Sequence, residues 1–168
     1  MSYAGHQQQA AGEHPRCAVV TLSDTRTPEN DTSGAMIRSV CDEANFQVVS
    51  YELIPDEPAV LRQTLAALLA RPDVDAILTN GGTGITRRDK TIDVVESIIQ
   101  TPLPGFGEIF RMLSFEQIGA GAMLSRAAGG VIGEKLIFAM PGSTKAVELA
   151  MTRLIAPELK HLLHQLRK

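Results

Sequence analysis

Hydrophobic positions along the chain switch repeatedly between two spacings. The run CAVVTL at 17–22 is short and apolar, of strand type. From 33 to 44 the apolar residues Met36, Ile37, Val40 and Cys41 return at helical spacing, and Asp31 or Thr32 is placed to cap the start. A second strand is predicted over 46–54, broken by PDEP at 55–58. Leu61, Leu65, Leu68 and Leu69 then mark a helix over 59–70. DAILT at 75–79 predicts a third strand, apolar enough to be buried on both faces. A loop at 80–84 and a helix over 92–100 follow. After a turn over 102–107 comes a helix over 107–118. Two apolar runs at 128–132 and 135–140 are joined by Gly133 and Glu134, which reads as a hairpin. Pro141, Gly142 and Ser143 open a long terminal helix, which Pro157 restarts or kinks before 158–167.

Strands alternating with helices predict an α/β protein. The expected form is a three-layer α/β/α arrangement with a mostly parallel sheet and one antiparallel hairpin near the C-terminal end. The 168 residues fit one domain, expected over 16–168, after a flexible polar tail over 1–15 that contains Gln7, Gln8 and Gln9. The helix over 107–118 is unusual. With Phe106 it carries Ile109, Phe110, Met112, Leu113, Phe115 and Ile118, which nearly encircle it. A helix apolar all round is either central or at a subunit interface, and the interface is the favoured reading here.

Composition narrows the function classes. With 44% hydrophobic and 21% charged residues the chain is ordinary for a globular protein. A net charge of −3 argues against a general electrostatic grip on nucleic acid. No apolar run approaches the roughly 20 residues of a membrane helix, and no secretory leader is visible, so a cytoplasmic location is expected. Cys17 and Cys41 have neither disulfide-framework nor metal-ligand spacing and read as reduced, partly buried thiols. The four histidines are scattered and read as solvated surface groups.

The chemistry concentrates in LTNGGTGITRRDKT at 78–91. In open α/β sheets ligands sit outside the carboxyl ends of the strands, which is where this loop falls. Gly81, Gly82 and Gly84 permit positive φ and let backbone N–H groups approach an anion, while Thr79 and Thr83 add hydroxyl donors. A tight strand-to-helix turn would also explain the glycines alone. The pattern is neither a Walker A loop nor GxGxxG. Arg87, Arg88 and Lys90 suit a polyanion such as a triphosphate. Asp89 among them would repel that ligand unless it holds Mg²⁺ shared with phosphate oxygens. Asp56, at another strand end, offers a second acidic group for the metal, and reads equally well as a helix N-cap. Asp24 is a weaker candidate of the same kind. Pro141, Gly142 and Ser143, with Thr144 and Lys145, form a third strand-to-helix junction that suits either a phosphate or a plain cap.

Taken together, TLSD (21–24), DTSG (31–34), IPDE (54–57), TNGGTGITRRDKT (79–91), PGFGE (104–108), LSR (124–126) and MPGS (140–143) resemble the MoaB/MogA family of molybdenum cofactor biosynthesis proteins, which includes the gephyrin amino-terminal domain. The likeness covers nearly the whole chain from Arg16 and leans to the MoaB branch. It implies a molybdopterin-binding fold and adenylylation of molybdopterin by Mg·ATP, with ATP as co-substrate and pyrophosphate released. By resemblance Asp56 and Asp89 match the essential acidic pair, Gly81, Gly82, Thr83 and Gly84 the nucleotide loop, and Ser125, Pro141, Gly142 and Ser143 the pocket lining. It also implies a homo-oligomer, a trimer or a hexamer. Where many members have Thr-Pro-Glu-Ala, this chain has Thr91, Ile92, Asp93 and Val94, a change expected to move the helix start little. The alternative function is a non-catalytic pterin-binding or carrier protein on the same fold.

Overall fold

The computed structural model describes residues 10–168. Its strands are β1 (Arg16–Leu22), β2 (Gln47–Ile54), β3 (Ala76–Asn80), β4 (Thr101–Pro102), β5 (Ala128–Ile132) and β6 (Lys135–Met140). They form one sheet in the order β2-β1-β3-β6-β5-β4. β2, β1, β3 and β6 run parallel, while β5 is antiparallel to both β6 and β4. The helices are α1 (Thr32–Glu43), α2 (Pro58–Leu69), α3 (Thr91–Ile98), α4 (Pro104–Ile118), α5 (Thr144–Ala150) and α6 (Ala156–Leu166).

The period of two along a strand sends alternate side chains to opposite faces, and both faces are covered. Val19, Leu78 and Phe138 pack with Ile37 and Cys41 of α1, Phe110 of α4 and Leu159 of α6. Val20, Ile77 and Ile137 pack with Leu61 and Leu65 of α2 and Ile92 and Val95 of α3. The three-layer α/β/α expectation therefore holds, and the hairpin over 128–132 and 135–140 is present, turning at Gly133 with φ 58°. Its antiparallel edge is wider than expected, because the two-residue β4 adds to it.

Most differences lie at element ends. The turn expected at 102–107 is instead β4 followed by the start of α4. Pro104 and Gly105 belong to the first helical turn, where proline's fixed φ is preorganised and its missing N–H costs nothing. Asp31, one of the two candidates, caps α1 by accepting from the Gly34 amide at 3.0 Å. Asp56 does not cap α2. The N-cap is Glu57, without a side-chain cap bond, and Pro58 opens the helix. Pro157 restarts the last helix as expected, lying in the first turn of α6. Its lost N–H is absorbed by a wider π turn over Met151–Ile155.

The expected tail over 1–15 divides. Residues 1–9 lie outside the described residues. Ala10–Gly12 form a 3₁₀ turn with Ala10 buried, and Glu13 pairs with Arg167, so residues 10–15 are docked rather than free. The histidines at 161 and 164 are also not fully solvated. They lie beside Glu158 and Glu13 respectively, with 16% and 26% of their side chains exposed. Cys17 and Cys41 are free and fully buried between β1 and α1.

The apolar residues of α4 divide between two surfaces. Phe106, Phe110 and Leu113 enter the core, while Ile109, Met112, Phe115 and Ile118 are exposed, joined by Met123 and Leu124 of the following 3₁₀ segment.

Candidate functional site

Because β1 and β3 are neighbours whose following connections leave in different directions, a crevice opens at their carboxyl ends, the usual ligand position of a parallel sheet. Asn80, the last residue of β3, leads into Gly81 (φ 97°) and Gly82 (φ 63°). These left-handed conformations favour glycine. A Cβ on Gly81 would strike the carbonyl of Leu22, and one on Gly82 would strike both Thr91 Oγ1 and the Asp56 carboxylate. The Gly81 N–H donates to Met140 at 3.2 Å, and the Thr91 N–H closes the loop onto Gly82 at 3.1 Å. Gly142 approaches from β6, where a Cβ would sit 3.0 Å from Gly81 Cα. The glycine loop is therefore both a tight turn and a place where backbone and carboxylates converge.

Asp56 is drawn to the loop by its position after β2, and its N–H donates to Asp24 Oδ1 at 3.1 Å. Burial holds the Asp56 carboxyl above its ordinary range. The negative charges of Asp89 and Asp24 push it further, against the pull of Arg88. Asp89 packs against Gly84, two residues further along the loop. Its Oδ2 accepts from the Thr86 hydroxyl and, at 2.9 Å, from the Thr86 N–H. The Thr86 hydroxyl is the main reason its carboxyl sits below the ordinary range, with amide donors and Arg126 adding to the effect against a smaller effect of burial. Asp89 is thus an ionised carboxylate that also braces its own turn.

The basic residues are less free than the sequence suggests. Arg88 bridges Asp24 at 2.8 Å and Glu57 at 3.3 Å, and Lys90 pairs with Asp93 at 3.3 Å. Arg126, not singled out from sequence, donates to the Gly84 carbonyl at 3.2 Å and pairs with Asp93 at 2.8 Å, clamping the loop from the side. Asp24, rated weak from sequence, belongs to the group. Thr79 and Thr83, expected as hydroxyl donors at the mouth, are buried, and Thr79 lies wholly inside β3.

A second polar layer supports the junction after β6. Asp31 is fully buried and receives bonds from Arg26 Nη1 (2.9 Å) and the Tyr51 hydroxyl (2.7 Å). Burial acts to raise its carboxyl, but the combined donors hold it below its ordinary range. Burial and the neighbouring Asp31 push Tyr51 up to about 12. Arg26 Nη2 and Ser33 Oγ both donate to the Gly142 carbonyl, at 3.0 and 2.7 Å. Ser143 caps α5 through the Ala146 amide at 3.2 Å, so the capping reading is realised there. Beside this junction lies a cleft of about 930 Å³ whose walls include Ser125, Pro141, Ser143, Lys145 and Arg153. Asp56, Asp89, Gly82, Gly84 and Arg88 thus come together in the crevice. Ser125, Pro141 and Ser143 line the cleft beside the β6 junction, and Gly81 lies against Gly142.

Among the described residues no three His, Cys, Asp or Glu side chains converge into a ready-made metal cluster. The fit is to a hard cation of the Mg²⁺ kind, which takes one or two carboxylates and completes its shell with phosphate oxygens and water. The Asp56 carboxylate, crowded by negative charge and answered only in part by Arg88, suits such an ion. A zinc, copper or nickel site would need histidine or thiolate donors, and none of the described residues of the crevice named above supplies them.

Fold and site together define a three-layer α/β protein whose glycine loop, at the carboxyl edge of a parallel sheet, packs against two carboxylates. The family described as "Probable molybdopterin binding domain" matches residues 18–161. The chain is 50% identical to molybdenum cofactor biosynthesis protein B of Bacillus anthracis, an alignment covering 100% of this chain and 99% of that protein. A crystal structure of a molybdenum cofactor biosynthesis protein B superposes with a TM-score of 0.91 at 50% identity, covering 94% of this chain and 98% of that one. The tungsten cofactor synthesizing protein MoaB from Pyrococcus furiosus superposes at 0.82 with 33% identity, over 94% of this chain and 100% of that one. The chain belongs to the MoaB/MogA family of molybdopterin-binding proteins.

Proposed function

We propose that this chain, a member of a molybdenum cofactor biosynthesis family, transfers the adenylyl group of ATP to molybdopterin. The observation that carries the reading is that Asp56 packs against Gly82 and Asp89 against Gly84, near enough for the Asp89 charge to act on Asp56. A plain anion cradle has no use for two carboxylates, whereas a metal–triphosphate site does.

In this reaction the terminal phosphate oxygen of molybdopterin attacks the α-phosphorus of ATP. The bond to the bridging oxygen breaks and pyrophosphate leaves with the electron pair. Mg²⁺ held by Asp56 and Asp89, when bound, offsets charge on the phosphoryl oxygens. The Gly82 amide positions the triphosphate, since the Gly81 amide donates to Met140 and the Gly84 amide to Asp89. Arg88 exchanges its carboxylate partners for phosphate oxygens. The 930 Å³ cleft beside Pro141 and Ser143, with Lys145 and Arg153 in its walls, takes the pterin. No nucleophilic side chain is required, because positioning and electrostatics carry most phosphoryl-transfer catalysis. The exposed apolar face of α4 packs against further copies of the chain in a trimer or hexamer. No described helix is long and apolar enough to cross a membrane, in keeping with work in the cytoplasm.

The test mixes the protein with molybdopterin, Mg²⁺ and ATP and follows adenylylated molybdopterin by mass. Product formation supports the reading. Bound pterin without product would leave a carrier protein instead, and phosphate release from ATP without pterin would indicate a general nucleotide hydrolase. Light scattering on the eluted protein tests the oligomer, and a monomer would overturn that part.

A further inference from the structure

Buried side-chain polar atoms nearly always find a partner, and each exception in a folded protein calls for a reason. Among the described residues three buried side-chain oxygens have none: Thr79 Oγ1, Asn80 Oδ1 and Thr91 Oγ1. They are not scattered. Thr79 and Asn80 end β3, and Thr91 begins α3, so all three bound the same glycine loop.

Thr91 differs from the other two in what it faces. It is 1% exposed, and a side chain on Gly82 would run into Thr91 Oγ1 and Asp56 Oδ1 together. Hydroxyl and carboxylate therefore sit side by side against the Gly82 Cα, so close that only glycine fits there. The Thr91 N–H is already used by Gly82, and α3 gains no side-chain cap from the residue before it. Valine has the same shape as threonine, so the fold alone has no need of this hydroxyl.

We propose that Thr91 Oγ1 is a further protein oxygen of the cation site, ligating together with Asp56 the divalent metal that accompanies a nucleoside triphosphate. The inference rests on the Mg·ATP reading of the crevice. A hard cation accepts hydroxyl and carboxylate oxygens alike and fills the remaining positions with phosphate and water. A neutral oxygen also suits this place better than another carboxylate. Asp24, Glu57 and Asp89 already crowd Asp56 with negative charge, and one more would repel the triphosphate. The neutral donor adds a ligand without adding to that repulsion.

The experiment uses Mn²⁺ in place of Mg²⁺ with ATP and no pterin, so that no turnover occurs. Affinity is read by calorimetry and by the Mn²⁺ electron paramagnetic resonance signal, and unliganded melting temperature is measured alongside. Thr91→Val is expected to weaken Mn·ATP binding about tenfold or more. It is also expected to raise the unliganded melting temperature by about 2–4 °C, because it removes a buried hydroxyl without a partner. Thr91→Ser is expected to keep affinity within about twofold of wild type. Weaker binding with a melting temperature at or above wild type supports the proposal. Unchanged binding in Thr91→Val while Asp56→Asn loses it overturns this inference and leaves the nucleotide reading intact. A lowered melting temperature in Thr91→Val overturns it in favour of a structural hydroxyl. If the wild-type protein itself fails to bind Mn·ATP, both fall together.

Discussion

Two aspartates mark the two ends of the sheet, and they are treated in opposite ways. Asp75 lies just before β3, at the amino end of the parallel strands. It is 4% exposed and is met by Arg16 Nε at 2.9 Å, Arg16 Nη2 at 2.8 Å, the Arg16 amide at 2.8 Å and Arg167 Nη2 at 2.7 Å. Burial acts against its charge, but those donors win and hold the carboxyl below its ordinary range. Asp56 lies after β2, at the carboxyl end. Burial and the charges of Asp89 and Asp24 push its carboxyl up, and Arg88 answers them only in part. One end of the molecule neutralises its charge internally and is finished. The other holds uncompensated charge and unpartnered oxygens, a local cost that makes sense when a ligand supplies the missing partners.

The sharpest way to break this contrast is to neutralise each acid in turn. Asp56→Asn and Asp89→Asn are expected to cut adenylyl transfer by about 10²–10³-fold. Asp56→Asn should leave the melting temperature at neutral pH unchanged or higher, since an unfavourable charge is removed. Asp75→Asn is expected to leave transfer intact and to cost about 1–3 kcal/mol in urea unfolding. The figure stays modest because Arg16 and Arg167 are 37% and 39% exposed and partly screened by water. Turnover at the wild-type level in Asp89→Asn would remove its metal role.

The signs of pH dependence also differ. The lowered Asp75 carboxyl contributes stability that is present above its ordinary value of 3.8 and is lost as pH falls through the lower folded value. The raised Asp56 carboxyl does the reverse. The native state holds its proton longer, so its contribution declines as pH rises from 3.8 through the higher folded value. Asp75→Asn should therefore flatten the acid limb of a stability–pH curve, and Asp56→Asn should flatten the decline just above it. Equal slopes in the two variants would show that the two environments do not differ as described.

The same contrast governs what was legible in the sequence. Apolar periodicity marks the strands and helices because burial imposes it, and the glycines of the 79–91 loop point to the ligand edge through topology alone. What the sequence hides is pairing across long separations. Nothing local distinguishes Asp31 as a buried anchor from a routine helix cap, since Tyr51 and Arg26 reach it only in three dimensions. Asp24 looks weak until β1 and β2 set it beside Asp56. Arg88 looks like a free phosphate donor until Asp24 and Glu57 are found holding it. Thr79 looks like a mouth hydroxyl, yet strand register buries it. Pro104 and Gly105 mislead because residues that end one element can begin the next.

Glycines offer a smaller test at the same two ends. Gly82 and Gly133 have nearly the same left-handed φ, 63° and 58°. A Cβ on Gly133 meets nothing within 4 Å, whereas one on Gly82 meets Thr91 and Asp56. Gly133→Ala should cost about 1 kcal/mol, the conformational penalty alone. Gly82→Ala should cost about 1–3 kcal/mol and also displace Asp56, with loss of nucleotide binding. Equal stability losses, with ATP affinity untouched in both, would mean that Gly82 serves only the turn.

The smallest expected effect on stability belongs to Arg88, and it separates holding from binding. Its partners and its own side chain are largely exposed, at 62% for Arg88, 39% for Asp24 and 57% for Glu57. Such pairs contribute about 0–1 kcal/mol each. Arg88→Ala should therefore shift unfolding by no more than about 1 kcal/mol. If Arg88 trades Asp24 and Glu57 for phosphate, the variant should raise the KM for ATP about tenfold with a smaller change in kcat, because a charge-assisted hydrogen bond is lost in ground state and transition state alike. High salt should narrow the gap between variant and wild type, since an exposed guanidinium is screened. An unchanged KM would leave Arg88 as a surface clasp on the two acids and shift the triphosphate contacts to the loop amides.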